Sequence, residues 1–298
     1  MDAIRRYPFL AVAIPPIHRS IALLSLIVGI VLTAPGEPAN AQRGLGARLR
    51  LRRLALEWQK RHPWTRFANG SWRKSLTTME TLKNGKWTVG KEELTTTLES
   101  VSRFSYRLRI QRVLTINGKR VSKKVQFKTH GIFDNNVMKL PEISTLDNKN
   151  LRVDNKRISS FGQRVLIKNN DGSTVKKFYW NDSVTPFPLR VETEQTSNKD
   201  SKVKLTQLRE VMALQMPCTV NSKIISSVVV RTKEESHDNG KTITATSLEH
   251  LSRDVPGGTV ALSLKLSKED GKVYHRRTVK LLSYDGRRRV RRKMRNRK

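Results

Sequence analysis

Phe104-Ser-Tyr-Arg-Leu-Arg-Ile110 alternates apolar and polar residues without a break, and Val260-Ala-Leu-Ser-Leu-Lys-Leu266 repeats the pattern. Successive side chains of a β-strand point to opposite faces, so each run reads as a strand with one buried and one wet face. Outward from these two runs, short turn signals join further runs in pairs. Asn117-Gly118 links the strand near Phe104 to Leu114 with one near Val121 to Phe127, and Asn170-Asp171-Gly172 links Arg164 to Lys168 with Thr174 to Trp180. Asp238-Asn239-Gly240 links Ile224 to Arg231 with Thr242 to Leu248, and Glu269-Asp270-Gly271 links Thr259 to Ser267 with Val273 to Leu282. Asn and Gly accept the positive φ of tight hairpins, so four antiparallel hairpins are predicted. The fold class is mainly β: an antiparallel meander forming a curved half-barrel, a barrel or a sandwich.

A weak repeat runs through the second half, pairing 160–211 with 224–284. Val165-Leu-Ile-Lys168, Pro186 and Asp200 in the first series match Val228-Val-Val-Arg231, Pro256 and Asp270 in the second. The spacing is seventy residues between Trp180 and Val203, but Leu189 and Val191 are then one residue out of phase with Val260 and Leu262. A slip of one flips a strand's faces, so the alignment needs a one-residue gap there.

Residues 1–41 read differently from the rest. Arg5, Arg6 and Arg19 precede an uncharged apolar run, Ile21 to Ala34, and Ala39-Asn40-Ala41 places small residues where a signal peptidase needs them. The run falls short of the roughly 20 apolar residues of a membrane span. A signal peptide cleaved between Ala41 and Gln42 is expected, with an uncleaved anchor as the alternative; either way the remainder is exported, to periplasm, cell envelope or medium. In 42–63, Leu51, Leu54, Ala55 and Trp58 fall at helical spacing among Arg48, Arg52, Arg53, Lys60 and Arg61, which predicts a short basic amphipathic helix ended by His62-Pro63. Such a helix lies on an anionic membrane or packs its stripe on the domain, and packing is the expectation. Residues 64–285 form the β-rich domain. Trp64, Phe67, Trp72 and Trp87 are read as a plug of its core.

The formal net charge is +34. The segment 286–298 holds Arg287, Arg288, Arg289, Arg291, Arg292, Lys293, Arg295, Arg297 and Lys298 and no acid, so it reads as a disordered basic tail able to bind polyanions. Export favours an anionic membrane, wall polymer or other surface polyanion as partner, with no specific nucleic acid.

No catalytic signature is found. The six histidines lie in no metal-binding spacing, the single cysteine, Cys218, reads as a small packed residue, and no cofactor motif occurs. Glu92-Glu93, and Glu192 with Glu194, are the carboxylate pairs to consider, the latter read as a solvent-facing row. His250 and His275 read as structural.

Trp64-Thr-Arg-Phe67 through Gly70-Ser71-Trp72, Thr95-Thr-Thr-Leu98, Asp254-Val-Pro-Gly-Gly258 and Leu281-Leu-Ser-Tyr284 together resemble uncharacterised exported proteins of planctomycete-type bacteria, themselves distantly similar to the lipoprotein-carrier half-barrels. The resemblance implies a curved antiparallel sheet with an apolar concave face that shields an acyl chain. No lid helices are predicted after residue 62, and the basic tail is additional. Three functions follow as expectations. The first is a non-enzymatic scaffold gripping anionic surfaces through basic termini. The second is a carrier of a lipid or other apolar ligand, with a cavity lined by Leu108, Ile110, Leu262 and Leu264. The third is a hydrolase of acidic polymers, with converging carboxylates or histidines.

Overall fold

The computed structural model describes residues 53–116, 118–133, 141–169, 172–198, 202–238 and 241–288. The signal segment with Ala41 and Gln42, Leu51 of the apolar stripe, and the turn residues Asn117, Asn170, Asp171, Asn239 and Gly240 lie outside them. So do Arg289 to Lys298.

A helix, α1, spans 53–61 and a single 3-10 turn spans Asp182–Val184; the other elements among the described residues are strands: β1 (Trp72–Lys83), β2 (Lys86–Val101), β3 (Ser105–Ile116), β4 (Lys119–Ser122), β5 (Gln126–Gly131), β6 (Glu142–Val153) and β7 (Lys156–Asn169). Then follow β8 (Gly172–Trp180), β9 (Arg190–Ser197), β10 (Val203–Val220), β11 (Lys223–Asp238), β12 (Lys241–Leu251), β13 (Thr259–Lys268) and β14 (Val273–Asp285). All pair antiparallel in one open sheet ordered β4-β3-β2-β1-β14-β13-β12-β11-β10-β9-β8-β7-β6, with β5 also on β3. The four predicted hairpins are β3–β4, β7–β8, β11–β12 and β13–β14.

The sheet is a curved half-barrel, and its core shows why. Leu108 of β3 and Val165 of β7 stand ten places apart in the strand order, roughly 47 Å on a flat sheet at the usual strand spacing. Yet both belong to one buried cluster, with Trp58 of α1 between the two flanks. The sheet therefore curls until its concave face meets the helix. Its two free edges carry Lys119, Arg120 and Lys128 on one side and Lys149 and Arg152 on the other, charges that discourage edge-to-edge pairing.

Three expectations are corrected. The strand predicted from Val121 to Phe127 is broken, because residues 123–125 face only two residues of β3 and form a bulge between β4 and β5. Trp87 is not in the core: it sits 40% exposed near the tip of the β1–β2 hairpin, beyond the end of β3, under the Arg276 guanidinium at 4.7 Å. Gly286 to Arg288 are held rather than free. The Ala68 N–H donates to the Arg287 carbonyl (2.7 Å), Phe67 bridges to Arg288, and Arg288 pairs with Asp254 (3.0 Å). The packed domain thus extends to Arg288.

The segments 160–211 and 224–284 each fall within four consecutive antiparallel strands, β7 to β10 and β11 to β14. The loops after β8 and β12 carry the same hydrogen bonds. Val184 N–H donates to the Asn181 carbonyl (3.1 Å) and Phe187 N–H to Val184 (3.1 Å), as Val255 N–H does to Ser252 (3.4 Å) and Gly258 N–H to Val255 (2.9 Å). The Asn181 and Ser252 side chains each accept the N–H two residues on, from Ser183 (2.9 Å) and Asp254 (3.3 Å). The spacing is 71 residues in these loops, the same that separates Leu189 from Val260, and it sets Pro186 opposite Gly257 rather than Pro256.

Candidate functional site

The site forms where α1 closes one end of the concave face. Its apolar stripe packs inward as expected: Ala55 and Trp58 are buried and Leu54 is packed against the core, while Leu56 is half exposed. The helix is fastened by its polar side chains. The Gln59 amide donates to the carbonyls of Ser102 (2.6 Å) and Arg103 (3.0 Å), and the Thr65 hydroxyl donates to the Gln59 carbonyl (2.6 Å).

The Trp58 ring lies edge-on to Phe133 (5.0 Å between centroids), Phe178 (4.9 Å) and Trp180 (5.7 Å). Beside this cluster is a cavity of about 240 Å³ lined by Trp58, Trp64, Tyr106, Phe178, Trp180 and Leu251, with Arg209 and Glu249 also on its wall. It is slightly smaller than the roughly 300–1,000 Å³ typical of small-molecule pockets. Glu249 accepts from the Thr259 hydroxyl (2.7 Å) and pairs with Arg209 (3.4 Å). At the rim Arg61 lies over the Phe161 ring (4.7 Å) and pairs with Asp182 (3.4 Å). The indole N–H groups of Trp58 and Trp180 are closed to solvent and have no hydrogen-bond partner.

Next to the cavity the concave face turns polar. The register Arg73↔Thr96, Ser75↔Leu94 and Thr77↔Glu92 puts Arg73 on the same face as the buried Ser75 and Thr77. Its guanidinium lies 5.5 Å from the Trp64 ring, and Nε and Nη1 are buried without partners. Burial lowers its pKa from the ordinary arginine value, and Arg277 acts in the same direction against the pull of Glu249 and Tyr106.

Of the four leucines and isoleucines expected to line a cavity, Leu108 and Ile110 are buried in the core, whereas Leu262 and Leu264 are only partly buried on the open stretch of the same face. Glu92 and Glu93 point to opposite faces, Glu92 toward Arg112 (3.6 Å) and Glu93 toward Lys74 (2.8 Å) and Arg120 (3.1 Å), so they form no catalytic pair. Arg112 accordingly faces inward with Tyr106, apart from Arg107 and Arg109. Glu192 is engaged by Arg190 (2.9 Å) and Lys177 (3.8 Å). His275 stands beside the Thr81 hydroxyl (3.0 Å).

A pairing that the sequence did not reveal is Cys218 with His250. The β10–β11 hairpin runs past the end of β12 and sets the Cys218 thiol 3.2 Å from His250 Nδ1, with Ser227 Oγ 3.3 Å from both. Ser227 donates to the Met216 carbonyl (2.8 Å), so the group ties hairpin to sheet. Among the described residues no cluster of three or more His, Cys, Asp or Glu could hold a metal, and no helix is long and apolar enough to cross a membrane.

No protein-family model matches the chain, and no curated protein matches it. Among solved structures it is similar to a DUF1329 family protein from Desulfovibrio piger, at 8% identity and a TM-score of 0.34, over 80% of this chain and 92% of that one. A provisionally named outer-membrane lipoprotein-sorting protein domain from Vibrio parahaemolyticus matches at 8% identity and a TM-score of 0.31, covering 80% and 93%. A chain of the Pseudomonas aeruginosa MucA/MucB complex matches at 12% identity and a TM-score of 0.20, covering 79% and 99%.

Proposed function

We propose that this chain is an exported, non-enzymatic binding protein that shelters an apolar or amphiphilic ligand against the concave face of its sheet. The observation that carries this reading is the aromatic cavity of about 240 Å³ beside α1, with the Trp58 ring of that helix on its wall against Phe178. Apolar walls with a few convergent polar groups suit a small amphiphile. The test is titration with a neutral fluorescent probe, N-phenyl-1-naphthylamine. Saturable enhancement is expected for the wild type. Leu251→Phe, which fills the cavity from its wall, should weaken binding at least ten-fold with secondary structure retained. A wild type without saturable binding, or an L251F variant that binds equally well, would sink the reading.

A second reading, tethering to a polyanion through the basic C-terminal run, is supported by the nine Lys and Arg residues in 286–298. Such binding is largely counterion release, with a slope of about 0.9 in log salt for each phosphate neutralised on duplex DNA. Deleting 289–298 is expected to flatten the salt dependence of heparin binding and leave the thermal midpoint unchanged. Deletion from Gly286 should also lower the midpoint, because Arg287 and Arg288 hold Ala68, Phe67 and Asp254. Equal salt slopes for the full chain and the 289–298 deletion would count against the tether.

A further inference from the structure

A second hollow lies on the face of the sheet opposite the aromatic cavity. Glu249 lines that cavity, so His250, the next residue of β12, points the other way. The register His250↔Ala261↔Lys280 carries this outer row across β13 and β14. The tip of the β10–β11 hairpin packs beside it: Val220 and Ile225 share a small core with Val255, Val260 and Leu281, against which Cys218 also packs. Tip and row together line a groove of about 430 Å³, within the roughly 300–1,000 Å³ of small-molecule sites. Its walls are mostly apolar, with Val220, Leu248 and Ala261 among them, and Cys218, His250 and Lys280 stand on the same walls. The hairpin reaches this position through an irregular stretch of β10, Ala213 to Met216, where Gln215 takes a φ of +55°. Few residues other than glycine accept that conformation, and those that do gather at functional sites.

A nucleophile and a base meet at this groove. Cys218 Sγ lies 3.2 Å from His250 Nδ1, and Ser227 Oγ lies 3.3 Å from both. Ser227 donates its proton to the Met216 carbonyl (2.8 Å), so toward the pair its oxygen only accepts. A proton passed from sulfur to Nδ1 therefore faces two acceptors, the thiolate and Ser227 Oγ. A thiolate paired with an imidazolium is the nucleophilic form of cysteine. Cys218 is partly exposed, as a reacting thiol must be.

We propose that Cys218 is an acyl acceptor, a modification site for a medium-chain acyl group delivered as a thioester or an activated ester. Sγ attacks the acyl carbonyl carbon while His250 takes the thiol proton. The carbon–sulfur or carbon–oxygen bond of the donor breaks, and the leaving thiolate or alkoxide takes that proton from His250. The product is a thioester on Cys218 whose chain lies along the apolar groove, and nothing is oxidised or reduced. This site is separate from the aromatic cavity and stands or falls apart from the ligand-sheltering reading.

The experiment treats the full chain with p-nitrophenyl octanoate and p-nitrophenyl acetate, following p-nitrophenol release and mapping the label by mass spectrometry. One octanoyl group is expected on Cys218, labile to neutral hydroxylamine. It should form at least ten-fold faster than the acetyl group, once each rate is divided by that of the same ester with free cysteine. Cys218→Ser should lose the label, and His250→Gln should slow it at least ten-fold, as loss of a general base does. Ala261→Leu, which narrows the groove from the sheet, should remove the octanoyl preference and leave acetylation of Cys218 in place. Label on lysines alone, equal corrected rates for the two esters, or an H250Q chain octanoylated as fast as the wild type would each overturn the acceptor. Should C218S or H250Q lose secondary structure, the ratio of the two esters on the wild type and on A261L still decides, and a ratio unchanged by A261L overturns the groove as the acyl site.

Discussion

Trp58→Ala is expected to lower the thermal midpoint by roughly 10 °C and abolish binding of an apolar probe. Truncating a buried Trp costs about 3–5 kcal/mol, and in a domain of this size each kcal/mol shifts the midpoint by roughly 2–4 °C. The site is one where the full cost should appear. Trp58 is 6% exposed and touches Phe133, Phe178 and Trp180, rings from two segments, β8 and the stretch after β5, that meet the helix at this side chain. A helix this short is marginal by itself and stands through its packing, so loss of the ring should also loosen the cover of the cavity. Leu56→Ala is the control on the same helix. Leu56 is 49% exposed, and its truncation should fall within the ordinary range for surface changes, about ±0.5 kcal/mol. Scanning calorimetry and circular dichroism of both variants decide the matter; equal midpoints would mean that α1 does not anchor the concave face.

The hairpins were legible because their determinants are local. An Asn-Gly or Asp-Gly turn between alternating runs states its geometry within a dozen residues, as at Gly271, whose φ is +75°. The order of hairpins around the sheet was not legible. β1 pairs with β14, from Trp72↔Asp285 to Thr81↔His275, a neighbourhood made by the curl of the whole sheet and by no motif in either strand. The bulge that breaks β4 from β5 left no mark either, since Ser122 to Gln126 contains neither Gly nor Pro.

The site was half legible. The inward stripe of α1 followed from spacing alone, and Trp64 and Phe67 were readable as core. Phe133, Phe178 and Trp180 were missed as its partners, because they come from β8 and the segment after β5, more than forty residues apart in sequence. Arg73 was hidden in plain polarity: beside Lys74 it looks like a solvated pair. Parity was the available signal, since Arg73 shares its face with Ser75 and Thr77, and a strand whose inward positions are Arg, Ser and Thr announces a polar interior. Cys218 and His250, thirty-two residues apart on different strands, gave no local hint of contact.

Gly257→Ala should strike the same site from below, and more severely than a loop substitution ordinarily does. Gly257 has φ of +76°, where a side chain costs about 1 kcal/mol or more. A Cβ there would come within 2.6 Å of the Trp64 indole, and the Gly257 N–H donates to the Pro63 carbonyl at 3.1 Å, which holds that indole's own backbone in place. Trp64 is 6% exposed, and a shift of its ring toward the cavity it lines would itself fill the site. Overpacking of this kind typically adds about 1–3 kcal/mol. Gly271→Ala isolates the conformational part, because Gly271 has nearly the same φ of +75° and nothing within 4 Å of its Cβ position. The two variants should therefore differ by the contact alone. G271A is expected to lose about 1 kcal/mol and keep probe binding. G257A is expected to lose about 2–4 kcal/mol and, because Trp64 is both the cavity wall and the ring against Arg73, to lose probe binding as well. Equal losses of stability in the two variants, or a G257A protein that binds the probe like the wild type, would show that Trp64 can move aside without consequence and that it does not shape the site.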